Sequence, residues 1–236
     1  RGRKVAMVFQ EPMTALNPLQ TIGAQVAQTY LAHERISRAE AMEKAKATLT
    51  RVGLPADEVS PDRRPHELSG GQRQRVVIAI AIAMKPQVLI ADEPTTALDI
   101  TVQVQILALL DDLRRERGLA IIFITHDFGV VAQLCDRVAV MYAGQIVETG
   151  PVREIFARPA HPYTRALLGS VPATDRAPDR LPVIEGQPPS VGDRPEGCPF
   201  HPRCSAMTEA CKVAPSVTPL RPDHTLRCHH PQEGAP

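Results

Sequence analysis

No run of apolar residues in the 236-residue sequence is long enough to cross a membrane. The longest, Val76 to Met84, has nine residues before Lys85 stops it, against the ~20 that a spanning helix requires. Neither sign of charge prevails: Lys and Arg number 27, Asp and Glu 26, and the formal net charge is +1. That balance gives no reason to expect a nucleic-acid surface or an acidic substrate. The basic start, Arg1-Gly2-Arg3-Lys4, lacks a following apolar core, because a polar stretch begins after Phe9; a cleaved signal peptide is unsupported. What remains is 43% hydrophobic and 22% charged, the composition of a globular protein with a real core. Proline and cysteine are unevenly spread. Of 23 prolines, 16 lie between Pro151 and Pro236, with four of the five cysteines.

Arg3 to Phe9 reads as a short buried strand ended by Gln10-Glu11-Pro12, with a loop at Pro12, Asn17 and Pro18. Thr21 to about His33 reads as a helix. Ser37 with Glu40 has capping-box spacing for a second helix, which Gly53 closes, and Ser69 with Gln72 repeats that spacing for a helix running to Met84. Val88 to Ala91 is a short apolar strand. Asp99 can cap a helix whose Ile106, Leu109, Leu110 and Leu113 follow helical spacing, with Gly118 as the stop. Ala120 to Ile124 is a further apolar strand. Strand, helix and strand in this order predict an α/β fold whose parallel sheet is covered on both faces. Val138 to Tyr142 and Gln145 to Glu148, joined at Ala143-Gly144, predict a hairpin.

One strand runs into Asp92-Glu93 and the other into Thr125-His126. Ligands bind outside the carboxyl ends of parallel strands, so two carboxylates and an imidazole would share one edge. Taken alone, Asp92 and Asp99 read equally well as turn caps and His126 as a surface residue. Ser69-Gly70-Gly71-Gln72 has two readings as well. It is a helix cap, or a phosphate site where unpaired N–H groups and absent Cβ atoms admit an anion.

Together, Leu68-Ser69-Gly70-Gly71-Gln72, Val88 to Glu93, Ala97-Leu98-Asp99 and His126, with Gln10 at a strand end, resemble the nucleotide-binding subunit of ATP-binding cassette (ABC) transporters. The match covers Val5 to Gly150. The resemblance implies a P-loop-type cassette domain with a helical subdomain over residues 1–150. It implies that Leu68, Ser69, Gly70, Gly71 and Gln72 form the signature motif contacting ATP on the opposite subunit. Asp92 and Gln10 would hold Mg²⁺, and Gln10, as the Q-loop residue, would also sense the γ-phosphate and couple the site to the transmembrane partner. Glu93 would be the general base, His126 the switch histidine near the γ-phosphate and Asp99 the D-loop residue of the dimer interface. Such groups suit phosphoryl transfer, which rests on positioning and charge stabilisation. No G-x-x-x-x-G-K-[ST] occurs in the sequence, so the loop that cradles phosphates is missing. With Arg1 only nine residues ahead of Gln10 and no initiator Met, the expectation is a truncated chain that does not bind ATP well by itself.

Residues 151–236 carry His161-Pro162-Tyr163-Thr164-Arg165-Ala166-Leu167-Leu168, then a proline-rich stretch, then Gly197-Cys198-Pro199-Phe200-His201-Pro202-Arg203-Cys204. This resembles the C-terminal extension of oligopeptide and dipeptide importer ATPases, as does Glu11 to Pro18. The extension is expected to be loop-rich. Cys198, Cys204, Cys211 and Cys228 are spaced C-x₅-C-x₆-C-x₁₆-C, which is not the paired C-x₂-C of a zinc ribbon. A [4Fe–4S] cluster, which some relatives of this branch carry, zinc, and unligated thiols are the alternatives. Cys135 is expected in the core, and His224, His229 and His230 in solvent. The resemblance implies a peripheral subunit on the cytoplasmic face of the bacterial membrane. Its partners would be a second, different ATPase, two permeases and, indirectly, an external solute-binding protein, with no nucleic acid. The alternatives are a cassette ATPase acting on nucleic acid and a non-hydrolysing regulatory remnant.

Overall fold

Three short apolar runs separated by helical sequence build the first sheet. The structure, a computed structural model, describes residues 2–96, 98–170, 183–190 and 192–232. Ala97 and most of the proline-rich stretch after the Leu167-Leu168 pair lie outside these. The chain divides into two units, Arg1–Val130 and Val131–Pro236.

In the first unit, β1 (Val5–Val8) leads through α1 (Pro12–Ala15), α2 (Ile22–His33), α3 (Arg38–Arg51) and α4 (Gly70–Ile82) to β2 (Val88–Asp92). Then α5 (Ile100–Arg117) leads to β3 (Ala120–Ile124), and α6 (Phe128–Leu134) spans the division. The strands are parallel in the order β1-β2-β3, with Val8 opposite Ala91 and Asp92 opposite Ile124. Their carboxyl ends are therefore level.

The helix starts follow their caps. Ser37 with Glu40, and Ser69 with Gln72, form complete capping boxes, and Asp99 accepts from the Val102 N–H at 2.9 Å. Each such cap contributes about 1 kcal/mol. Gly118, at φ 62°, ends α5 in the left-handed conformation that a residue without Cβ adopts cheaply. Ile22, Ile78, Leu89, Ile106 and Leu110 are fully buried in the shared core. The sheet departs from the sequence reading in one respect. β2 is covered, with Leu89 and Ala91 buried, but Ile122 and Ile124 of β3 are 53% and 46% exposed.

The second unit is antiparallel. β4 (Arg137–Tyr142) and β5 (Gln145–Pro151) form the expected hairpin, and α7 (Val152–Ala157) and α8 (Pro162–Gly169) follow. Ala143 and Gly144, at φ 45° and 76°, give the two-residue turn the positive φ that matches strand twist. The extension is less loop-rich than expected. Its β6 (Thr218–Arg221) and β7 (His224–Leu226) complete a sheet ordered β4-β5-β7-β6.

The core of this unit joins Val140, Val147 and Ile155 to a group of aromatic rings. Tyr142, Tyr163 and Phe200 stack with ring centroids 4.6 to 5.3 Å apart. Arg203 closes over them, donating to the Tyr142 hydroxyl at 3.2 Å and to the carbonyls of Ile184 and Glu185 at 3.0 and 2.8 Å.

Two histidines depart from expectation or add to it. His224, expected in solvent, is fully buried and bonded to the buried Glu148 at 2.8 Å. The reason is the β5–β7 pairing, which sets Glu148 opposite Leu226. His229 and His230 bond the Val213 carbonyl and the Thr208 hydroxyl. Cys135, expected in the core, is half-buried just past the end of α6.

His161, 1% exposed, accepts the Tyr163 N–H on Nδ1 at 3.0 Å, and its Nε2 finds no hydrogen-bond partner among the described residues. Burial pushes its pKa down to about 4, and the nearby Glu148 carboxylate and the Arg227 backbone offset only part of that. The folded state therefore disfavours the protonated form. The stabilising effect is complete above ~6.5, the ordinary histidine value, and is lost as pH falls from there to about 4. The full difference is about 3 kcal/mol. In urea titrations between pH 7 and 4.5, the second unit of the wild type should lose more stability than His161→Asn, which keeps an acceptor for Tyr163 but cannot titrate. Equal losses would contradict the assignment.

Candidate active site at the carboxyl ends of the parallel strands

Gln10 lies two residues beyond β1, Glu93 one beyond β2 and His126 two beyond β3. Level strand ends bring the three together. Glu93 accepts from Gln10 Nε2 on Oε2 at 2.8 Å and faces His126 Nδ1 through Oε1 at 3.2 Å. A carboxylate can only accept, so Nδ1 carries the hydrogen and Nε2 of the neutral ring is left as an acceptor.

Glu93 adopts φ 43°, a left-handed conformation that is strained for a residue with a Cβ. Its N–H nevertheless bonds the Ile124 carbonyl at 2.9 Å. That bond ties the turn to β3 and aims the carboxylate across the strand ends. The hydrogen bond from Thr96, then that from His126, holds the carboxyl below the usual range despite some desolvation. The group is thus an ionised carboxylate at neutral pH.

Two supporting residues escaped the sequence reading. Thr96 Oγ1 donates to Glu93 Oε2 at 2.8 Å. Asp127 braces the His126 loop: its carboxylate accepts from the N–H groups of Gly129 and Val130 at 2.8 and 3.2 Å and from Gln103 Nε2 on α5 at 3.1 Å. Aspartate just ahead of an apolar helical stretch was a readable cap signal. Thr96 carried no such signal.

Asp92 ends β2, half-buried, immediately before Glu93. Gln10 turns its Nε2 to Glu93, which leaves its Oε1 without a partner among the described residues. One carboxylate and one amide oxygen are the hard oxygen donors that Mg²⁺ takes alongside water and phosphate, so this pair fits that ion.

The signature segment stands apart, with Ser69 and Gln72 bonded to each other. Leu68 is buried while Ser69 and Gly70 are exposed at the start of α4. A Cβ on Gly71 would come within 2.4 Å of Val102 Cγ1. The second glycine therefore lets α4 approach α5 and does not simply open an anion cradle. Gly70 lies by Leu98, next to Asp99, so the signature segment and the segment around Asp99 are neighbours.

The cysteines give a different result. Cys198 and Cys211 are buried, Cys204 and Cys228 half-buried, and the Cys198 N–H bonds the Cys211 carbonyl at 2.9 Å. A cluster needs its ligands converged, yet among the described residues no three His, Cys, Asp or Glu side chains are grouped so as to hold a metal ion. The four thiols nevertheless feel one another: burial raises the pKa values of Cys198, Cys204 and Cys228, the last to about 11, and Cys228 is raised further by Cys198, Cys204 and Cys211.

The sequence matches two protein families. Residues 1–96 match the ABC transporter family, and residues 147–211 match the oligopeptide/dipeptide transporter C-terminal region. A probable peptide ABC transporter ATP-binding protein, y4tR, of Sinorhizobium fredii is 50% identical over 99% of this chain and 70% of its own length. The oligopeptide transport ATP-binding protein OppD of Salmonella typhimurium is 46% identical over 99% and 70%. The dipeptide transport ATP-binding protein DppD of Bacillus subtilis is 47% identical over 97% and 68%. Among solved structures, a dimeric ATP-binding cassette in a post-hydrolysis state bound to ADP and Pi is similar with a TM-score of 0.57 at 32% identity. The match covers 65% of this chain and 65% of that one. CbiO1 from Clostridium perfringens, part of the ABC transporter complex cbiONQ, gives 0.57 at 33% identity, covering 65% of this chain and 59% of that one. The strand-end site, the cassette fold and the matched extension converge: the chain belongs to the ATP-binding proteins of the peptide branch of ABC transporters.

Proposed function

We propose that the chain is the ATP-hydrolysing part of a peptide importer, peripheral to the cytoplasmic face of a bacterial membrane. The observation that carries the reading is Glu93, held between Gln10 and His126 at level strand ends. No helix among the described residues is long and apolar enough to cross a membrane, so a peptide path would come from two permease subunits, fed by an external solute-binding protein. The cassette takes residues 1–150 and the extension residues 151–236.

In this reading Glu93 orients the attacking water and takes its proton, and His126 presents Nε2 toward the γ-phosphate region. Asp92 and Gln10 hold Mg²⁺, which when bound neutralises charge on the phosphates. Leu68 to Gln72 offer the exposed start of α4 to ATP held by the other subunit, where unpaired N–H groups and the helix dipole favour an anion. Asp99 lies at the interface of a heterodimer with a second ATPase. Residues of a phosphate-cradling loop are missing from this sequence, so these 236 residues alone bind ATP weakly. They still contribute the signature segment to a partner.

Adding the chain to an intact partner ATPase should raise the partner's hydrolysis rate, and Ser69→Arg should cancel the rise. An unchanged rate on addition would sink this part of the proposal.

A further inference from the structure

Glu93 has two carboxylate oxygens, and they are not equivalent. Oε2 accepts from Gln10 Nε2 and from Thr96 Oγ1, both at 2.8 Å. A carboxylate oxygen offers two in-plane lone-pair directions, so these donors fill it. Among the described residues Oε1 faces only His126 Nδ1, at 3.2 Å. One lone-pair direction of Oε1 is therefore the remaining place for a hydrogen.

Thr96 belongs to the turn that Glu93 itself begins, since the Thr96 N–H bonds the Glu93 carbonyl at 3.1 Å. Backbone and side chain of Thr96 thus grip the same residue twice. Gln10 and His126 reach Glu93 from the ends of other strands, across 83 and 33 positions of sequence. Thr96 is the partner that holds the carboxylate from within its own turn, and it does so at a residue whose φ of 43° is strained.

We infer that Thr96 is a positioning residue for Glu93: its hydroxyl occupies Oε2 and leaves Oε1 as the oxygen that takes the proton. This rests on the reading of Glu93 as general base. In the step itself, the water oxygen forms a bond to the γ-phosphorus and its proton passes to Glu93 Oε1. The bond from that phosphorus to the β–γ bridging oxygen breaks, and its electron pair leaves on ADP. Without the hydroxyl the carboxylate rotates, Oε2 competes with Oε1, and the water is poorly aligned. Misalignment affects the chemical step and leaves ground-state binding unchanged.

Two measurements test the inference. In the 236-residue chain at pH 8, the ¹³Cδ resonance of Glu93, assigned by its disappearance in Glu93→Gln, should shift in Thr96→Val and return in Thr96→Ser. In the complete subunit assembled with its partner ATPase and permeases, Thr96→Val should lower kcat about tenfold with KM for ATP unchanged, and Thr96→Ser should restore it. An unshifted resonance, or a Thr96→Val enzyme with wild-type kcat beside an inactive Glu93→Gln, overturns the role of Thr96 alone. A fully active Glu93→Gln overturns the general-base reading and the inference with it. A Thr96→Ser variant as impaired as Thr96→Val also overturns it, because the hydroxyl would then not be what matters.

Discussion

Glu93→Gln should lower ATP hydrolysis by the assembled transporter at least ~100-fold while leaving ATP binding intact, because a positioned general base contributes that much or more. The substitution conserves shape but reverses the chemistry. An amide cannot take the proton from water. If its oxygen keeps the bonds from Gln10 and Thr96 at the Oε2 position, its NH₂ group must face His126 Nδ1. That requires the imidazole to change tautomer and turns Nε2 into a donor. The alternative flip sets a donor against the Gln10 NH₂ group and forces the Thr96 hydroxyl to turn from donor to acceptor. Steady-state hydrolysis beside a nucleotide-binding measurement separates the outcomes: a collapse of kcat with retained binding is expected. A variant that hydrolyses ATP at the wild-type rate would remove Glu93 from the chemistry.

The second large effect is on stability. Glu148, fully buried in β5, accepts the N–H groups of Ala160 and His161 at 2.8 and 3.0 Å and pairs with His224 Nε2 at 2.8 Å. Arg221 Nη1 stands 3.4 Å from His224 Nδ1, and a guanidinium can only donate, so the neutral ring accepts there and donates Nε2–H to Glu148. One carboxylate thus ties the hairpin to the start of α8 and to β7. Glu148→Ala orphans three buried donors and leaves a cavity, which should cost about 3–5 kcal/mol in the second unit. The chain contains no tryptophan, so urea unfolding is best followed by circular dichroism or by the emission of Tyr142 and Tyr163. A double-mutant cycle with His224→Ala should be strongly non-additive, since the second truncation removes a donor already orphaned by the first. Additive losses would mean that the two residues do not act through each other.

What could be read in advance follows the range of the interaction. Ser37 with Glu40, Ser69 with Gln72, Asp99 with Val102 and the turn at Ala143-Gly144 each lie within three residues, and each is present. The strand-end site was legible because parallel strands carry their chemistry at their carboxyl ends, and Gln10, Glu93 and His126 all follow strands. The extension was not legible. Its strands are only three and four residues long, and Pro219 interrupts one, so no alternation develops. His224 finds its partner 76 positions away, and without the β5–β7 register nothing in its surroundings marks it as buried. Gly71 was read for what its missing Cβ opens to a ligand, whereas its packing against Val102 depends on how α4 meets α5.

The central claim is that this chain's chemistry moves peptides. It is tested most directly by peptide uptake in proteoliposomes carrying the complete transporter, with ATP inside or outside according to the orientation of the cassettes. Labelled di- and oligopeptides should accumulate only with ATP and the solute-binding protein present, and Glu93→Gln should abolish accumulation. Undiminished accumulation in that variant, or no ATP-dependent accumulation of any peptide by the wild type, would contradict the account.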